Sequence, residues 1–331
     1  PLLIIADACY TPSVPNHCST FFHTFQFHLF TNFLQYSYLL LCIPFPSLLD
    51  ILPKLHYNRY VVIVFYSQED SFVMVKSEFD DCFQNGNYDA LRPYHVDNAI
   101  ILAAGMCSRF KPLSDTKPKA FLKVKGEILI ERMIRQLIEA EIPEIYIVVG
   151  HQKEAFSYLA EKYGVCLIEN TEYAVRNNLS SIYAARKVLK NSYICSSDLY
   201  CMENIFDSYV YESYYAGTFS SEKTDKLCVT TGFNGKISRI RKGGSNCWYM
   251  TGPAYWDNQF SARFCELMQK EYDNPSSKDL SWEAFYSNHL DELSLSLRKY
   301  PEGIVREFNS LDELCLFDTS YIPYRDSLKT T

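Results

Sequence analysis

Positive charge is in short supply. The 331 residues carry 32 Lys and Arg against 39 Asp and Glu, a formal net charge of −7. A general nucleic-acid binder needs a basic face, so that class is set aside. No Cys-x-x-Cys pair occurs among the 12 cysteines, and the seven histidines do not cluster with them. Zinc and a disulfide framework are therefore not expected. Scattered thiols, with no basic-then-apolar signal at the start, fit a cytoplasmic protein. The Gly-x-x-x-x-Gly-Lys-Ser/Thr loop is also missing, which excludes a P-loop enzyme. Between Asp7 and Asp50 there is no charged residue at all.

That uncharged stretch is crowded with Phe, Tyr, His and Leu, and a membrane span needs about 20 apolar residues. Asn32, Gln35, Ser37, Pro44 and Pro46 interrupt it, so no membrane role is expected. The first methionine is Met74. Three readings stay open for an N-terminal extension over residues 1–95. It is a degenerate accessory module such as a winged-helix remnant, a peripheral apolar segment, or residues foreign to the natural product.

From about Val96 apolar runs alternate in strand and helix periods, so 96–331 is expected to form a folded domain distinct from the extension. "NAIILAA" reads as a strand covered on both faces. Ile130, Met133, Ile134, Leu137 and Ile138 form a stripe at helical spacing. "EIYIVVG", "VCLIEN" and "SYICS" are further strands, with helices between them and Gly164 closing one. This order predicts an α/β fold with a parallel sheet and right-handed crossovers. "CVTTGFNGKISRI" predicts a hairpin turning at Asn234-Gly235, and "CWYMTGPAYW" another strand. Helices are expected over 261–272 and 280–290.

In an open α/β sheet, ligands sit beyond the carboxyl ends of the strands, where Leu102-Ala103-Ala104-Gly105 lies. Small residues leave backbone N–H groups free to cradle an anion. Arg109 can add a planar fork and Lys119 a point charge. A solvated turn is the bland alternative. The run L-A-A-G-x-x-S-R-F-x-P-L, followed by K-P-K, resembles the signature of nucleotidyltransferases that activate sugar phosphates and phospho-alcohols. Over 98–318 the chain is similar to the LicC-like CTP:phosphocholine cytidylyltransferases, through "VVGHQKEAFSYLAEKYGV", "NTEYAVRNNLSSIYAAR", "SYICSSDLY" and "RKYPEGIVREFNSLDEL".

The resemblance implies a Rossmann-like fold with a mixed, mostly parallel sheet flanked by helices. It implies CTP and a small phosphorylated amino-alcohol as substrates, with Mg2+ as cofactor. Leu102, Ala103, Ala104, Gly105, Ser108, Arg109, Lys119, Asn177 and Asn178 would hold the nucleotide. Arg109, Lys119 and Asp198 would be catalytic. Asp198 follows "YICSS" at the same sheet edge as the glycine loop, and magnesium prefers carboxylate oxygen. In the family a second metal carboxylate comes from a late E-[FI]-D-S motif, whose Asp position is Asn309 here. Asn177 and Asn178 precede a helix and fit a cap equally well, although amides also read a base edge.

Trp256, Trp282 and Glu283 would form the substrate pocket, since aromatic faces attract quaternary ammonium groups. Core packing competes for each tryptophan. The family's cage tryptophan corresponds to Leu227, which leaves phosphoethanolamine or 2-aminoethylphosphonate as an alternative substrate. A sugar-1-phosphate transferase and an inactive ligand-binding descendant are further alternatives. Cys107 replaces a frequent glycine and is expected to keep an ordinary backbone, or else the loop is shifted.

Overall fold

The computed structural model describes residues 74–107 and 110–328. The apolar stretch before Asp50, Ser108 and Arg109 lie outside the described residues. The first half contains α1 (Lys76–Gln84), β1 (Asn98–Ala103), α2 (Leu113–Thr116), β2 (Lys123–Val124) and β3 (Glu127–Ile128). It continues with α3 (Leu129–Glu139), β4 (Glu144–Val149), α4 (Ser157–Tyr163), β5 (Cys166–Glu169), α5 (Leu179–Ala185) and β6 (Ser192–Ser196). Next come β7 (Leu199–Cys201), β8 (Tyr214–Ser220), β9 (Thr224–Thr231), β10 (Ile237–Gly244), β11 (Cys247–Trp256) and α6 (Asn258–Glu271). The last elements are α7 (Trp282–Asn288), β12 (Ser296–Tyr300), β13 (Val305–Glu307), α8 (Leu311–Phe317) and α9 (Ile322–Ser327).

Nine strands share one sheet, ordered β10-β9-β11-β6-β1-β4-β5, with β8 beside β11 and β12 beside β8. The run β6-β1-β4-β5 is parallel, as the βαβ order predicts. Beyond β6 the sheet is mixed, because β11 runs antiparallel to β6, β8 and β9. Past Asn98, β1 is apolar on both faces, and helices cover both. Ala99, Ile101 and Ala103 share a cluster with Met133, Ile134 and Leu137 of α3. Ile100 and Ala104 face Leu179 and Ile182 of α5 and Phe264 of α6. Ile138, the last residue of the expected stripe, is exposed in the final turn of α3.

Local signals place the ends of several elements. Gly164 takes φ +72 and closes α4 in a left-handed turn. Asn234-Gly235 turns β9 into β10. α6 begins earlier than expected because the Asp257 side chain accepts from the Phe260 N–H and caps it. No helix among the described residues is long and apolar enough to cross a membrane.

The texture change near Val96 is not where the folded unit begins, since one compact unit runs from Val75 to Thr331. Phe79 of α1 is buried against Tyr94 and Tyr211, with ring centroids 5.2 and 5.5 Å apart. Isolated aromatic contacts of this kind carry no periodicity, so sequence texture assigned 75–95 to the extension.

We propose that this unit folds without residues 1–73. A chain starting at Met74 should unfold in one cooperative thermal transition. A chain starting at Asp97 should melt several degrees lower, since burying Phe79 is worth about 1.5–3 kcal/mol. Equal melting of the two chains, or no cooperative transition in the longer one, would contradict this boundary.

Candidate active site

β1 and β6 are parallel neighbours, with Leu102 opposite Ser196. The Ala103-Ala104-Gly105 exit and Asp198 therefore leave the sheet at the same edge. β4 flanks β1 on its other side, so the sheet order reverses there: the chain moves outward through β4 and β5 and then returns to β6. Such a switch point opens a crevice. Here it is a cleft of about 700 Å³. A side chain built on Gly105 would meet nothing within 4 Å, so its backbone faces open space.

Cys107 breaks the expectation of an ordinary backbone. It adopts φ +50, and its thiol lies 3.6 Å from the Gly105 carbonyl oxygen. The turn keeps the left-handed geometry that glycine would take freely, at a cost of about 1–2 kcal/mol for another residue.

A buried ion pair stands at the centre. Lys119 Nζ lies 2.5 Å from Asp198 Oδ2, with the two side chains only 6% and 15% exposed. The ammonium also sits 4.6 Å from the centre of the Phe110 ring. Ser196 Oγ donates to the other Asp198 oxygen at 2.6 Å. Burial alone would push the Asp198 carboxyl up. Lys119 and the Ser196 hydroxyl outweigh it and hold the group below the ordinary carboxylate range.

The two-stranded ribbon β7–β13 brings a second acid to the same place. β7 starts one residue after Asp198, and Glu307 pairs with Leu199 across the ribbon. Glu307 accepts from Asn309 Nδ2 at 3.1 Å and pairs with Lys226 of β9 at 2.7 Å. Asp198, Glu307 and Asn309 all line the cleft. Among the described residues there is no group of three or more His, Cys, Asp or Glu placed to hold a metal alone.

The far end of the cleft is aromatic and acidic. Trp282 stacks on Tyr215 with centroids 5.4 Å apart at 24°. Ser281 caps α7 by accepting from the Ala284 N–H, which puts Glu283 in the first helical turn. Burial pushes the Glu283 carboxyl up and Glu307 adds repulsion, while hydrogen bonds from its own N–H, Ser281 and Asn178 resist. Burial also raises the Tyr215 phenol, helped by the nearby Glu283, Glu307 and Asp198 charges.

Asn178 occupies the cap position of α5, yet its side chain does not cap that helix. Its Oδ1 accepts from the Trp282 N–H at 2.8 Å and ties α5 to α7. Asn177 Nδ2 donates to the Asp279 carbonyl at 3.0 Å. Both amides line the cleft.

Leu102, Ala103, Ala104, Gly105, Lys119, Asp198, Trp282, Glu283 and Asn309 also line it. Trp256 does not. It is fully buried against Phe260 and Phe264, with centroids 5.1 and 4.4 Å away. Its partner Ser192 is the first residue of β6, at the strand end away from the cleft. Trp256 backs Trp282 edge-on at 5.2 Å and serves the core, not the substrate pocket. Sequence reasoning missed Tyr215, Lys226, Lys242 and Glu307, all cleft residues. Only Glu307 carried a signal, as the acid of the "EFNS" run that contains Asn309.

The MobA-like NTP transferase domain matches residues 99–207. A 2-aminoethylphosphonate cytidylyltransferase of Lancefieldella rimae is 39% identical over 229 residues, covering 68% of this chain and 93% of the relative. The chain belongs to the nucleotidyltransferase family. A choline-phosphate cytidylyltransferase of Streptococcus pneumoniae is 32% identical over 215 residues, covering 65% of this chain and 94% of that protein. The solved CTP:phosphocholine cytidylyltransferase (LicC) of Streptococcus pneumoniae matches with a TM-score of 0.64 at 32% identity. That match spans 66% of this chain and 96% of the solved one. The nucleotidyltransferase fold expected from the sequence is thus confirmed.

Removing one partner of a buried pair costs more than the pair contributes, because a bare charge is left behind. Lys119→Met should destabilise the protein by about 3 kcal/mol at neutral pH, and a second change, Asp198→Asn, should recover most of it. Asp198 ionises at lower pH when folded than when unfolded. Its stabilisation is therefore complete above the unfolded value and lost as pH falls through the folded one. The Lys119→Met deficit should begin to shrink at higher pH, where the bare Asp198, pushed up by burial, takes a proton, and should go on shrinking through that acid range. A denaturant titration series across pH would contradict this account if the double variant were no more stable than Lys119→Met.

Proposed function

We propose that this nucleotidyltransferase moves CMP from CTP to a small phosphorylated amino-alcohol, phosphocholine first, and releases pyrophosphate. One observation carries the reading: a single cleft joins the Gly105 loop and Lys119–Asp198 to the Tyr215–Trp282–Glu283 wall. One end suits a triphosphate, the other a cationic amine beside aromatic faces. The cytidylyltransferase names of the relatives support the same nucleotide.

The acceptor's phosphate oxygen attacks the α-phosphorus of CTP in line, and the bond to the β-phosphate oxygen breaks. No covalent enzyme intermediate is required, so positioning and charge neutralisation supply the catalysis. Lys119 meets the leaving phosphates, and the carried-over Arg109 and Ser108 would act beside it. Asn177 and Asn178 present amides to the cytosine. Mg2+ would be held by Asp198, with Glu307 and the Asn309 amide oxygen beside it, and would neutralise phosphate charge when bound. The fit is sound for magnesium, which commonly takes one or two carboxylates and completes its shell with phosphates and water.

A second reading has its own support. Leu227 stands at the cleft where the resemblance expects a cage tryptophan, while Glu283 and Glu307 offer hydrogen-bond acceptors. A primary ammonium, as in phosphoethanolamine or 2-aminoethylphosphonate, suits acceptors better than a quaternary one. The Lancefieldella relative is named for 2-aminoethylphosphonate.

Pyrophosphate release should be measured for CTP, UTP and GTP against phosphocholine, phosphoethanolamine, 2-aminoethylphosphonate and glucose 1-phosphate. The expected result is CTP-dependent release with the amino acceptors, fastest with phosphocholine. Faster turnover of the primary amines would select the second reading. Preference for UTP or GTP with the sugar phosphate would contradict both.

A further inference from the structure

Three lysines line the cleft, and two of them are engaged by carboxylates. Lys119 is taken by Asp198 and Lys226 by Glu307. Among the described residues Lys242 has no ion-pair partner, Asp225 of the same cleft included. Its position is built by the strands. Lys242 on β10 lies directly opposite Leu227 on β9, so the two side chains share a face. The register then shifts between Lys242 and Gly244, with Gly243 at φ +76. A bulge of this kind re-aims a side chain locally, and Gly243 supplies the left-handed residue it needs. β10 is the outer strand of the sheet order, where a lysine commonly serves to deter edge pairing. That role asks only for a side chain in solvent. Lys242 is exposed, yet it lines the reaction cleft.

We propose that Lys242 is an acceptor-binding residue that takes an anionic oxygen group of the incoming substrate. The inference rests on the acceptor class proposed above. Lys242 lines the cleft opposite Leu227, the position where the resemblance expects the acceptor's cage, whereas the Gly105 loop and Lys119 are assigned to the triphosphate. Glu283 on the helical wall and Lys242 on the β9–β10 wall bring opposite charges to the cleft, beside the mutually engaged Lys226 and Glu307. A zwitterionic acceptor, with ammonium and phosphate or phosphonate on one short chain, matches that polarity. The anion could equally be a carboxylate carried beside the amine, and the two sources separate by experiment.

Phosphoethanolamine and O-phosphoserine would be titrated by calorimetry into the full chain holding a non-hydrolysable CTP analogue and Mg2+. Lys242→Met and Lys242→Arg would be compared with the parent. Losing one charge-assisted contact should weaken acceptor binding about tenfold or more in Lys242→Met. Lys242→Arg should recover most of the loss. Affinity for the CTP analogue and the thermal midpoint should not change, which a merely structural role would not produce. Weakening of both acceptors identifies the phosphate as the anion. Weakening of phosphoserine alone identifies the carboxylate. Unchanged acceptor affinity in Lys242→Met, or an equal loss for the CTP analogue, overturns the assignment while leaving the proposed function standing. A parent that binds neither acceptor overturns the assignment, and overturns the proposed function as well if phosphocholine also fails to bind.

Discussion

The buried pair between Lys119 and Asp198 is the constraint on which the cleft depends. Each charge makes the other tolerable where both side chains are largely buried. Two distant parts of the chain are pinned by it. Lys119 comes from the loop beyond β1, and Asp198 from the end of β6. The sheet brings those ends together because β1 and β6 are parallel neighbours. A polyphosphate with a divalent cation would replace this internal balance by a larger one, with the lysine facing phosphate and the carboxylate facing metal. The resting pair thus holds the two side chains against each other at the edge of the cleft.

A second balance lies further along the cleft. Lys226 on β9 reaches Glu307 on β13, so a strand of the antiparallel part is tied to the ribbon beside Asp198. Asn309 bonds to the same carboxylate. Where relatives are expected to place a second metal acid, this chain has a neutral amide leaning on an acid two residues earlier. The charge lost at Asn309 is therefore close at hand in Glu307, although Lys226 competes for it. Tyr215 stands near Glu283, Glu307 and Asp198, which add to burial in pushing its phenol up.

Local pattern made half of the molecule legible. The apolar run of β1, the α3 stripe, Gly164 and the Asn234-Gly235 turn each carry their cause within a few residues. So do the small-residue exit at Gly105 and the acid after β6, and the cleft contains these two. The misses have one physical source. Tyr215, Lys226 and Lys242 lie on β8, β9 and β10, whose antiparallel register decides which side chains meet the cleft. Register is a long-range property with no short sequence mark. Trp256 failed for a related reason: residue type shows that an aromatic will be buried, not at which end of its strand it sits. Cys107 failed because the turn demanded a left-handed residue whatever the side chain.

The central claim is that the Lys119–Asp198 end of the cleft receives the β- and γ-phosphates. Calorimetry of CTP and CMP binding to the parent and to Lys119→Ala tests it most directly, since the two ligands share base, ribose and α-phosphate. The account predicts that Lys119→Ala weakens CTP by about tenfold or more while CMP changes little. Equal losses for CTP and CMP would contradict it.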